Sequence, residues 1–148
     1  MAPADAEALA ARPNESLETF AAEVLRLALG FLQPPPGAMA PFLLMQKPEG
    51  NTVESFAMMP PAEGIPLARK RAAAQPAEVA RIALAYDGYV SVENQKKKDA
   101  LLIECHERGQ KYGFVFAQCY EWGADGKPVP LGECQISPGR PFLSSPGA

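Results

Sequence analysis

Two carboxylates and one imidazole are the residues of this chain that strand periodicity brings closest to chemistry. Residues 79–92, 99–107 and 112–122 alternate as three antiparallel strands, separated by polar turns at 93–98 and 108–111. Closing each turn symmetrically predicts Tyr86 beside Cys105 and Cys105 beside Phe114, with Gly88, Ile103 and Phe116 in the next row. The same register predicts Asp87 opposite Glu104, Glu104 opposite Val115 and Ala85 opposite His106, with Tyr89 on that outer face. Carboxylates within reach of an imidazole have the donors for a divalent cation or for acid–base work. Against this, a solvated sheet face needs polar residues in any case. The chain has a single histidine, and no His-x-His or His-x-x-x-His spacing. We expect no catalytic residue, no metal ligand and no cofactor. Asp87, Glu104, His106 and Tyr89 stand as candidates for binding.

Nucleophilic chemistry has less behind it. Cys105 precedes His106, but neighbours on a strand point to opposite faces, so His106 cannot activate it. No Gly-x-Ser-x-Gly elbow, phosphate-cradling loop or Gly-x-Gly-x-x-Gly fingerprint is present. Three cysteines, Cys105, Cys119 and Cys134, make neither a disulfide framework nor a zinc pattern. The chain therefore reads as non-enzymatic.

The elements that must carry these residues follow from pattern. Residues 1–13 are rich in Ala and Pro and are expected to be disordered. Asn14 suits an N-cap, and Leu17, Phe20, Ala21, Val24, Leu27, Ala28 and Phe31 recur at helical spacing. A helix over 15–32 is expected, ended by three prolines and Gly37. Residues 42–47 and 52–59 predict a hairpin around 48–51, and 66–75 a short helix with Pro66 in its first turn. Residues 129–136 predict an edge strand, and 137–148 an irregular tail, where Phe142 and Leu143 have the character to dock. The expected fold is α+β: a mainly antiparallel sheet of about five strands, a hairpin plus a three-strand meander, with one long and one short helix. One domain spans 14–136. The element order is similar to that of roadblock, longin and profilin-like folds, a resemblance of order alone with no shared motif, which implies no function.

Charge narrows the partners. A net charge of −3 over 148 residues argues against nucleic acid, despite the small clusters Arg69-Lys70-Arg71 and Lys96-Lys97-Lys98. No apolar run approaches the ~18 residues of a membrane span, and the acidic N-terminus lacks a basic leader, so a cytoplasmic protein is expected. Ala83, Ala85, Ala100, Gly113 and Ala117, with Leu102, Val115 and Cys119, give the outer face many small or apolar side chains. Such a face invites another element to approach closely. We expect a non-catalytic binding or assembly module that acts as a homodimer, with a further protein partner also open. The alternatives are a small metal-dependent or acid–base enzyme using Asp87, Glu104 and His106, or a small-molecule module with a pocket lined by Met45, Met58, Tyr86, Phe114 and Phe116.

Overall fold

Asn14 starts the long helix as its position predicts: its Oδ1 accepts from the Leu17 backbone N–H at 2.8 Å. Glu15 and Glu18 sit in the first turn, where the helix dipole favours acids. The structure is a computed structural model that describes residues 7, 10–34, 39–91 and 97–143. Most of the expected disordered stretch, 1–6 and 8–9, lies outside the described residues, as do Lys96 and the end of the tail from 144.

Helix α1 (Glu15–Phe31) is followed by β1 (Phe42–Lys47) and β2 (Gly50–Ser55), then α2 (Pro61–Ala73). The meander is β3 (Arg81–Ser91), β4 (Lys97–Glu107) and β5 (Gly113–Trp122), and two short strands close the chain, β6 (Pro128–Pro130) and β7 (Gln135–Gly139). All pair antiparallel in the order β2-β1-β3-β4-β5, with β6 and β7 both on the outer side of β5. The fold is α+β, with seven strands among the described residues where about five are expected. No helix among the described residues is long and apolar enough to cross a membrane.

The extra strands come from one segment that cannot stay straight. Pro128 and Pro130 supply no N–H, so β6 pairs only over Tyr120–Trp122. The chain then loops out and returns as β7 along Gly113–Ala117. Buried Gln118 holds that loop, its amide lying within 3.2 Å of the Leu131 and Gly132 carbonyls. β7 thus carries the ordered chain past residue 136, into what had been expected as irregular tail.

Burial on both faces of the sheet makes three layers. On one face α1 lies over β3 and β4, and Leu17, Phe20 and Val24 pack on Phe42, Leu44, Ile103 and Phe114. On the other, α2 lies over β1 and β3, joining Ala68 and Ala72 to Leu43, Ile82 and Leu84, with Phe142 and Leu143 from the tail. β1 is apolar and buried from Phe42 to Met45, where it is covered on both faces, and turns polar at Gln46 and Lys47. Met58, expected to pack, is 94% exposed beyond the end of β2.

Gly113 does more than keep one sheet face small. A Cβ there would stand 2.0 Å from the Arg140 carbonyl oxygen, so the tail crosses β5 only because no side chain is present. Gly113→Ala is expected to unseat residues 140–143 while leaving β4–β5 pairing intact. Hydrogen exchange would show it as fast exchange at the Leu143 amide; unchanged protection there would refute the close approach.

Candidate functional site

Lys97 and Lys98 begin β4 instead of filling the turn, and that decides where every candidate residue points. The β3–β4 hairpin is centred nearer its N-terminal strand than a symmetric 93–98 turn requires, so Tyr86 pairs with Leu102 and Ala83 with Cys105. The shift is three residues, and an odd shift exchanges the faces of one strand relative to the other. Asp87 is therefore opposite Leu101, not Glu104, and His106 is opposite Ile82, not Ala85. The β4–β5 register is as expected, with Cys105 on Phe114, Glu104 on Val115 and Ala100 on Cys119.

The four candidates divide between the two faces. Asp87 and Tyr89 are on the α1 face near the end of the hairpin. Although Asp87 as a residue is exposed, its carboxylate meets Tyr120 Oη, which donates at 2.7 Å. Partial burial raises the Asp87 pKa, more than this hydrogen bond lowers it. Tyr89 is 61% exposed, with Lys97 Nζ 5.0 Å from its ring centroid.

Glu104 and His106 are on the α2 face, side by side along β4, and both are buried, with 3% and 1% exposure. Glu104 Oε2 accepts from Arg69 Nη2 at 2.6 Å and from Tyr86 Oη at 2.5 Å, and Oε1 accepts from Arg69 Nε at 3.1 Å. Arg140 from the tail adds a cation 3.5 Å from Oε1. Burial alone would raise this carboxyl pKa, but the bonds from Arg69 and Tyr86 and both nearby positive charges bring it below the ordinary value. The cost falls on Tyr86: burial, then its bond to Glu104, pushes the phenol up to about 12.

His106 is fixed in one tautomer. The Leu143 backbone N–H donates to Nδ1 at 3.0 Å, so Nδ1 carries no proton, and Nε2–H donates to the Gln110 carbonyl at 2.8 Å. Burial lowers its pKa below 6.5, with Arg108 acting the same way, against the Gln110 bond and Glu107. This imidazole is neutral and has both nitrogens occupied.

The neighbouring carboxylate of Glu107 has partners too: Arg81 Nε donates at 2.7 Å and Asn14 Nδ2 at 2.8 Å. Pattern reading missed Arg69 as a partner of Glu104, although its basic cluster was visible, because nothing local says which way α2 faces. The imagined pocket also divides: Met45 and Tyr86 pack with α2, Phe114 and Phe116 with α1. All three cysteines are free thiols. Among the described residues no three His, Cys, Asp or Glu side chains gather as a metal site. Comparison with protein-family models, curated proteins and solved structures finds no match to this chain, and so lends nothing to the likeness in element order.

Two outcomes follow from this geometry. Arg69→Ala leaves Glu104 with Tyr86 and the more exposed Arg140, and should destabilise by about 2–3 kcal/mol in chemical denaturation. That is less than the roughly 3–5 kcal/mol for a fully buried pair, because the Arg69 side chain is 30% exposed. For His106, the unfolded chain binds a proton more readily than the folded one. Its contribution should be complete above pH ~6.5 and decline as pH falls from there through the lowered folded pKa. The stability advantage of the native chain over His106→Gln should shrink as pH falls from about 7.5 to 5; a constant gap would refute the neutral, tail-holding imidazole.

Proposed function

We propose that the chain is a non-catalytic assembly module that acts as a homodimer through the α2 face of its meander. One observation carries this reading. α2 covers β1 and β3, and the tail covers the start of β5, but the rest of that face on β4 and β5 runs through Ala100, Leu102, Val115, Ala117 and Cys119, with the charged Lys98 and Glu121 only at its hairpin end. Residues opposite one another share a face, and Tyr86 and Leu84 tie Leu102 and Glu104 to the α2 side. A face left to water alternates toward polar residues. This one has none between Ala100 and Leu102 on β4 or between Val115 and Cys119 on β5. Leu102, Val115, Ala117 and Cys119 are each part-exposed, and none belongs to the two core clusters of the described residues.

The small residues that suggested close approach separate by role. Ala83 and Ala85 are spent under α1, where they let the helix sit close to the sheet. Ala100 and Ala117, with Gly88 paired to Ala100, keep the other face low. A flat, low, apolar sheet face is self-complementary across a two-fold axis. A reducing, cytoplasmic setting belongs to the same proposal and suits three free thiols. Glu104 and His106 support it as well, since their donors and acceptors are engaged in holding α2 and the tail instead of standing open to a substrate.

Light scattering at about 20 μM is expected to give twice the monomer mass. Ala117→Glu places a charge in the middle of the face twice per dimer, and should weaken association by roughly 100-fold or more with the fold retained. A native monomer at that concentration, or a dimer indifferent to Ala117→Glu, would sink the proposal.

A further inference from the structure

The flank of α1 turned toward β7 holds a second, separate feature. Ala21 and Leu25 of the helix, Phe116 of β5 and Ile136 of β7 wall a cleft of about 340 Å³, with Cys134 beside them. That volume is within the range of small-molecule sites and below what a folded segment needs. The cleft is mainly apolar, yet two carboxylates, Glu18 and Glu133, also line it. Both are exposed, and neither has an ion-pair partner among the described residues.

We propose that this cleft binds small hydrophobic amines, the apolar body between Leu25, Phe116 and Ile136 and the ammonium toward Glu18 and Glu133. Charge complementarity selects the guest. An apolar guest contributes by area removed from water and has no preference for sign. Two carboxylates without an ion-pair partner disfavour an anionic guest of the same shape and attract a cationic one. Ile136 is held in place by its pairing with Phe116, so one wall moves little when a guest enters. The site is on the α1 face, away from the face proposed for dimerisation, and does not depend on that proposal.

Cys134 provides the readout, because it lines the cleft, while Cys119 is also part-exposed but lies on the opposite face of the sheet. Alkylation of each thiol in the full-length protein would be followed by peptide mass spectrometry, with 2-phenylethylamine as probe and 3-phenylpropionate as its anionic counterpart. The amine should slow alkylation of Cys134 and leave Cys119 unchanged, and the carboxylate should do neither. Glu133→Gln and Glu18→Gln should each weaken the amine two- to fivefold, the range of a solvent-exposed charge pair, and less so at high salt. Equal protection by both compounds, or none by the amine, would overturn the proposal. So would protection of Cys134 that needs no amine and vanishes on dilution, since a second copy would then fill the cleft.

Discussion

A single carboxylate in the middle of a sheet face organises half of this molecule. Glu104 is on β4, the strand between β3 and β5, and it cannot be buried there alone: an unpaired ionised group in such a place costs several kcal/mol. Each of its partners comes from a different part of the chain, Arg69 from α2, Tyr86 from β3 and Arg140 from beyond β7. Satisfying Glu104 therefore means assembling the α2 layer. Apolar contact alone does not select one placement of a 13-residue helix whose buried residues are Gly64, Ala68 and Ala72. Small side chains slide easily, whereas a forked guanidinium on a carboxylate does not.

The two faces of the sheet are thus held by different physics. Under α1 the contacts are large and dry, with Leu17, Phe20 and Val24 against aromatic and aliphatic residues of four strands. Under α2 and the tail they are smaller and pinned by polar groups. Burying Phe142 and Leu143 is worth about 3–6 kcal/mol, while ordering the four backbone residues 140–143 costs about 4–8 kcal/mol. Apolar burial by itself leaves the tail close to balance. The His106 bond to the Leu143 amide and the β7 ladder turn that balance toward docking. This is also why the α2 face is only partly covered: its layer ends where the polar anchors end, and Leu102, Val115 and Ala117 lie past them.

Much of the fold was legible because period and capping are local. Asn14, the α1 stripe, the β4–β5 register and the α+β class all follow from residues near one another in the chain. The candidate site was not legible, because it depended on the β3–β4 register, which rests on where a lysine run stops being turn. Lys97 and Lys98 look like turn residues, yet on a strand end their long stems lie along the sheet, and Lys97 reaches the Tyr89 ring. Moving the centre of one hairpin separated Asp87 from Glu104. Ala83 and Ala85 crossed to the helix side for the same reason. The division of 129–136 into β6 and β7 was hidden for another: two prolines demote a strand by pattern but do not say where the chain goes next.

The error and the structure meet in β4. Reading outward from a symmetric turn treats the hairpin as the source of register, but here the turn is the least determined part. The register matches instead the face from which β3 can supply Tyr86 to Glu104. If β3 moved to put Asp87 opposite Glu104, Tyr86 would turn to the α1 side, and the carboxylate would lose a donor while gaining a like-charged neighbour. A buried polar residue is a more exact register mark than an apolar one, since an apolar side chain finds company on either face and a carboxylate does not. In this chain Glu104, which looked like a reactive group, marks how β3 and β4 align, and His106 anchors the tail.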